Sequence, residues 1–187
     1  MANVTVRDVT AADFESLTKL DLTYTVGDRY LELERSGSEQ EPTFSLRWRE
    51  GVARNVIYDT LTVDGLHQTL EKHTDAFFVA ELDATITGYL MIIMPRWTDA
   101  AEITDVAVDR PARRSGAGRA LIDAAVAWAR ERNLRALWVE PQGEAGGVIN
   151  FYLKLGFRIS GTNDRWYSNA DDTEAGEQAI YMYLELA

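Results

Sequence analysis

The stretch Val106-Ala-Val-Asp-Arg-Pro-Ala-Arg-Arg-Ser-Gly-Ala-Gly-Arg-Ala-Leu121 holds the residue types best suited to chemistry. β-branched residues run into Arg113-x-x-Gly116-x-Gly118, and an apolar helical periodicity starts directly afterwards. Such a turn leaves backbone N–H groups unpaired at the positive end of a helix, with no Cβ at either glycine to block a phosphate. The chemistry it points to is a pyrophosphate grip built from backbone. A Walker-type loop would need Lys-Ser/Thr after Gly118, where Arg119-Ala120 stand, so triphosphate chemistry is disfavoured. A dinucleotide fingerprint would need Gly or Ala at Leu121, although Glu140 could serve as its acidic residue, so an oxidoreductase stays an alternative reading. A tight turn that uses glycine for geometry alone is the plain alternative.

Composition narrows the classes. With 187 residues, 46% of them hydrophobic, the chain reads as one soluble globular domain over residues 1–187. A net charge of −11 argues against a nucleic-acid partner and against anionic membranes. Acidity would draw cationic small molecules or basic peptides, or serve solubility alone. The absence of cysteine excludes disulfides, thiolate metal sites and a cysteine acyl-enzyme. No apolar run approaches the roughly 20 residues of a membrane span, and the N-terminus has no secretory pattern, so a cytoplasmic location is expected. His67 and His73 fall on different faces of a helix, so no metal site is expected.

The elements that must position the turn are legible along the chain. Val4–Arg7 reads as a strand, and Thr10 with Asp13 as the capped start of a helix to about Leu20. Tyr30–Arg35 and Phe44–Arg49 alternate around a Ser36–Pro42 loop, an antiparallel hairpin. Asp64 is expected to cap a short helix to Lys72. Phe77–Leu82 and Ile86–Met94 form a second hairpin, and Ala101–Val108 a further strand. Gly116–Glu131 is an amphipathic helix, with Leu121, Ile122, Ala125, Val126 and Ala129 on one face. Strand Ala136–Glu140, helix Val148–Leu155 ended by Gly156, strand Phe157–Ser160 and strand Ala179–Leu186 complete an α/β domain on a mixed sheet.

In this order, Arg113-x-x-Gly116-x-Gly118, Leu137-Trp-Val-Glu140 and Phe151-Tyr152-x-Lys154-x-Gly156-Phe157 resemble the GNAT superfamily of N-acetyltransferases. Leu17–Val26, Tyr30-Leu-Glu-Leu33, Phe44-Ser-Leu-Arg47, Gly161–Tyr167 and Gly176–Met182 are similar to streptothricin (nourseothricin) acetyltransferases, with the region 50–75 weakest. The resemblance implies the GNAT fold, a central mixed twisted sheet flanked by helices. It also implies acetyl-CoA as cofactor and an amine on the β-lysine arm of a cationic antibiotic as acceptor, with a homodimer common among relatives.

Residue by residue, the resemblance assigns Val106, Ala107 and Val108 to the pantetheine arm. It assigns Arg113, Arg114, Ser115, Gly116, Ala117, Gly118 and Arg119 to the pyrophosphate, with Asn150 and Lys154 completing the cofactor set. Tyr152 is the acid for the departing thiolate, or simply a core tyrosine. Relatives often carry an Asn in the loop that is Gln142–Gly147 here, where Gln142 is the nearest amide. A primary amine with a pKa of about 10 is protonated at neutral pH, and a carboxylate must take its proton before it attacks. Asp105 matches the family's acidic position and is the first candidate, or else it merely pairs with Arg113 or a cationic neighbour; Glu102 is second and Glu140 third. Period two puts Glu102, Thr104 and Val106 on one face and Asp105 on the other. An N–H near Val106 would meet the oxyanion. Trp97, Glu140, Asp164, Trp166 and Tyr167 are candidates for the acceptor pocket, with Asp171 and Asp172 as loop acids. The alternatives are the same fold acting on a polyamine, amino sugar or protein N-terminus, and a non-catalytic acyl-CoA-binding module.

Overall fold

The computed structural model describes residues 3–72, 74–167 and 178–186, so residues 1–2, His73, all of 168–177 with Asp171 and Asp172, and residue 187 lie outside it. The elements are β1 (Val4–Asp8), a 3-10 turn (Ala11–Asp13) leading into α1 (Phe14–Leu17), β2 (Thr23–Val26), β3 (Arg29–Gly37) and β4 (Pro42–Glu50). There follow β5 (Arg54–Ile57), α2 (Val63–Lys72), β6 (Ala76–Leu82), β7 (Thr85–Ile93) and β8 (Ala100–Val108). After a second 3-10 turn (Arg110–Ala112) come α3 (Ala117–Glu131), β9 (Ala136–Val139), α4 (Gly146–Lys154), β10 (Arg158–Asn163) and β11 (Ala179–Glu185).

The chain divides into two compact units, one of Met1–Tyr24, Ile57–Val139 and Leu184–Ala187, the other of Thr25–Val56 and Glu140–Tyr183. In the first, the strand order is β1-β6-β7-β8-β9, antiparallel except for the β8–β9 pair. The β6–β7 turn closes tightly because Asp83 and Ala84 both take positive φ. One face of this sheet buries Phe77, Val79, Tyr89 and Met91 under Phe14, Leu17, Leu22 and Leu66 from the α1 and α2 side. Alternation sends Phe78, Leu90 and Ile92 to the other face, where α3 packs with Leu121, Ile122, Ala125 and Ala129 buried. The result is a mixed sheet with helices on both faces.

Two local starts differ from expectation. The helix begun at Thr10 is a 3-10 turn and a single α turn, held by the Asp13 carboxylate accepting from the Thr10 N–H (2.7 Å) and hydroxyl (2.9 Å). The α2 helix opens at Val63, so Asp64 sits inside its first turn and Thr62 Oγ1 takes the capping bond from the Gly65 N–H (3.1 Å).

The second unit holds the β3–β4 hairpin, paired from Arg29↔Glu50 to Gly37↔Pro42, and the β10–β11 pair. Its helix α4 packs on β3 and ends at Gly156, whose φ of +96° is the left-handed stop expected there. Among the described residues no helix is long and apolar enough to cross a membrane.

Candidate active site

Strand β8 carries a bulge. Its register with β7 runs Ile93↔Glu102 and Ile92↔Ile103, then Met91↔Asp105, so Thr104 is an extra residue. The extra residue inverts the alternation. Glu102 and Asp105 therefore share the face of Ile93, Met91 and Tyr89, which corrects the period-two expectation that separates them. Beyond the bulge, Asp109 N–H donates to the Thr87 carbonyl (2.8 Å). Alternation then turns the polar groups of Val106 and Val108 to the opposite edge of β8. The register with β9 ends at Glu102↔Trp138, so no strand of this unit covers that edge from Ile103 onwards.

The turn that follows is held at its base. Arg110 N–H donates to Asp21 O (2.9 Å), and the Asp21 N–H to Asp109 Oδ1 (2.8 Å). Arg113 is half-buried, and its Nε donates to Val108 O (3.1 Å); burial lowers its pKa. Arg114 takes φ +69° and Gly116 φ +100°, and nothing lies within 4 Å of where a Gly116 Cβ would sit. Ser115 N–H is taken by Ala112 O, and Ala117 N–H by Ser115 Oγ. Among the described residues, the N–H groups of Gly116, Gly118 and Arg119 have no acceptor. Three open amides at the start of a 15-residue helix, under a glycine with clear space above it, are the donor arrangement that suits an anion.

Asp105 does not pair with Arg113. Its Oδ1 accepts from the Tyr58 hydroxyl (2.9 Å), and the Tyr58 ring meets Tyr24 edge-on at 6.2 Å. A cleft of about 210 Å³ lies between Leu17–Thr23 and Ile57–Leu61, with Asp21 and Asp59 on its wall. Trp97 is 88% exposed and covers nothing in this unit.

In the second unit, Glu140 accepts from the Tyr167 hydroxyl. Burial pushes its pKa up, against the opposing hydrogen bonds from Tyr167 and Trp166. Asp164 is held by Arg35 (2.5 Å), which lowers its pKa, and the Trp166 ring meets Tyr181 edge-on at 6.1 Å. Tyr152 is buried on α4, its ring between Phe151 (5.3 Å) and Phe157 (5.2 Å). Asn150 is half-buried on the same helix, and Lys154 is exposed. The 142–147 loop uses its own backbone: Leu31 N–H donates to Gly143 O (2.9 Å), Gly27 N–H to Glu144 O (3.0 Å) and Gly143 N–H to Gln178 O (2.8 Å).

The description of the acetyltransferase (GNAT) family matches residues 38–157. The chain belongs to that family. It is 32% identical over 116 residues to streptothricin acetyltransferase A of Bacillus subtilis, covering 62% of this chain and 65% of that one. It is 29% identical over 108 residues to the streptothricin acetyltransferase of Streptomyces lavendulae, covering 58% and 56%. The matches thus span less than two thirds of either relative. Among solved structures, a putative streptothricin acetyltransferase from Bacillus anthracis in complex with acetyl coenzyme A superposes with a TM-score of 0.78 at 25% identity, over 98% of this chain and 99% of that one. Family membership removes the dinucleotide oxidoreductase reading.

Sequence reasoning missed Tyr58, Asp59 and Tyr89. Tyr58 and Asp59 lie where the resemblance is weakest. Tyr89 sits in a strand so apolar that it reads as core, and only the unpaired hydroxyl within that core marks it out.

Proposed function

We propose that the chain is an acetyl-CoA-dependent N-acetyltransferase acting on a primary amine of a cationic small molecule, most concretely the β-lysine arm of a streptothricin-type antibiotic. The observation that carries the reading is the conjunction of a β8 edge that no strand of its own unit covers beyond Glu102 with, among the described residues, three open amides at the start of α3. The donor set fits acetyl-CoA: polar backbone for an amide-bearing arm, then an anion cradle for a pyrophosphate. Bound there, the cofactor supplies a thioester carbonyl open to attack. The turn from Arg113 to Arg119 holds the pyrophosphate, and Val106 to Val108 align the arm, with Asn150 and Lys154 as further contacts. The outward N–H of Val106 meets the developing oxyanion. Asp105, directly or through a water, takes one proton from the ammonium so that its lone pair can attack. Glu102, on the same face, is the second carboxylate in reach of that role. The Tyr152 hydroxyl donates a proton to the departing sulfur and recovers one from solvent, while the second ammonium proton leaves the new amide nitrogen.

The acceptor is supported by the two streptothricin acetyltransferase relatives and by the net charge of −11, which favours cationic ligands. Thiol release from acetyl-CoA, followed with and without streptothricin and with the product mass read, tests the reading. Acceleration and a gain of one acetyl group are expected. No acceleration, with turnover of a polyamine, amino sugar or peptide N-terminus instead, would replace the acceptor. Cofactor binding without turnover of any amine would make the chain a binding module. Tyr152→Phe should lower kcat with cofactor affinity kept, and unchanged kcat removes Tyr152 from the acid role.

A further inference from the structure

Tyr89 is wholly buried on β7, and among the described residues its hydroxyl has no hydrogen-bond partner. A buried hydroxyl left unpaired is costly, and native cores rarely keep one without a reason. The register places Tyr89 on the face that carries Asp105. Its phenol resists ionisation, first because it is buried and then because the charges of Asp105 and Asp59 lie near it. Tyr58 Oη occupies one oxygen of Asp105, fixing the carboxylate and leaving Oδ2 to accept from a ligand. All these groups belong to one unit, so the cluster is internally complete.

We propose that Tyr89, Asp105, Asp59 and the ring of Tyr58 form the subsite that receives the reacting amine of the acceptor. The inference rests on the acetyltransferase reading and adds to it the residues that select the amine. An ammonium group needs acceptors and negative charge, and the cluster supplies two carboxylates, a phenol oxygen and an aromatic face. Once the proton taken by Asp105 has passed on to water, the carboxylate is again an acceptor and the amine keeps two N–H groups and one lone pair. Asp105 Oδ2 and the Tyr89 oxygen can each accept one N–H, which leaves the lone pair free to attack. Asp105 is one residue along β8 from Val106, so the nitrogen held there is the one that reacts. An alcohol or thioether analogue leaves these groups unpaired and is rejected.

The test is Tyr89→Phe with Tyr58→Phe beside it, measured for melting temperature, acetyl-CoA affinity, and kcat and KM for streptothricin. Tyr89→Phe removes a hydroxyl that stabilises nothing in the unliganded protein, so its melting temperature should hold or rise. Its kcat/KM should fall by about 10- to 100-fold, mostly through KM, with acetyl-CoA affinity unchanged. Tyr58→Phe should fall less, by about 5-fold, because it orients Asp105 rather than touching the amine. Unchanged kcat/KM for Tyr89→Phe overturns the proposal, as does a lower melting temperature with a matching loss of cofactor affinity. If the wild type ignores streptothricin, the acceptor reading fails separately, and the same criteria apply to whichever amine of a panel of spermidine, lysine, kanamycin and an alanine-initiated peptide it acetylates best. Turnover of none of them overturns the subsite as well.

Discussion

Gly146→Ala probes how the second unit is built. A Cβ on Gly146 would lie 1.9 Å from the Arg29 carbonyl oxygen, 2.8 Å from its carbon and 3.3 Å from the Trp48 ring. Ordinary contact begins at 3.4 Å, so the carbonyl or the helix must retreat by about 1.5 Å. Neither can do so cheaply. Arg29 is paired with Glu50 in the hairpin, and the strand is stapled on either side by the Gly27–Glu144 and Leu31–Gly143 backbone bonds. Loss of those two bonds at about 1 kcal/mol each, with about 1 kcal/mol of residual strain, gives a cost of about 3 kcal/mol. For a chain of this size that is a fall of about 6–12 °C in melting temperature. Gly147 is the internal control, since nothing lies within 4 Å of its Cβ position. Gly147→Ala, inside α4, should stabilise by about 0.5–1 kcal/mol through helix propensity. Calorimetry or urea titration of both variants decides the matter. Equal melting temperatures for the two variants would refute the close-approach account of this loop.

Three further outcomes follow from the geometry. Gly116→Ala meets no atom but must hold a positive φ, so it should cost about 1 kcal/mol of stability while weakening acetyl-CoA binding by about 10-fold or more, as titration calorimetry would show. Asp13, 7% exposed and gripped by both Arg7 Nη atoms at 2.8 Å, has its pKa held well below the ordinary 3.8. Its stabilisation is complete above that value and is lost as pH falls below it. Asp13→Asn should therefore cost about 2–3 kcal/mol at pH 7, with the wild-type and variant urea curves drawing together in acid. Glu140, raised chiefly by burial, destabilises the fold as pH climbs through its ordinary 4.5 towards its folded value. Glu140→Gln should thus melt no lower than wild type at pH 8, and a clear loss there would show that the charge is needed for its bond with Tyr167.

Local chemistry made much of the fold legible. Gly116 at the start of α3, Gly156 after α4 and the period-two hairpins each depend on neighbours within a few residues, so the sequence carries them directly. Even there, Asp64 and Thr62 compete for one cap, and the backbone path, which composition does not report, favours Thr62. The 142–147 loop shows the opposite case. From the sequence it reads only as a departure from relatives, yet Gly146 is needed because the Arg29 carbonyl of β3 passes against it, and Gly143 because Gln178 and the Leu31 carbonyl do.

The sequence by itself determined that a glycine turn opens an amphipathic helix after a β-branched strand, because those signals are short-ranged and fixed by backbone sterics and period. It also carried the order of motifs that marks the acetyltransferase family. Only tertiary structure decided which carboxylates share a face. The bulge at Thr104 exists through pairing with β7, and one inserted residue is enough to bring Glu102 to the face of Asp105. The partner of Asp105 comes from Tyr58, 47 residues away, and that of Asp164 from Arg35. Tyr89 became visible for the same reason: whether a buried hydroxyl has a partner depends on everything folded around it, and no spacing along the chain records that.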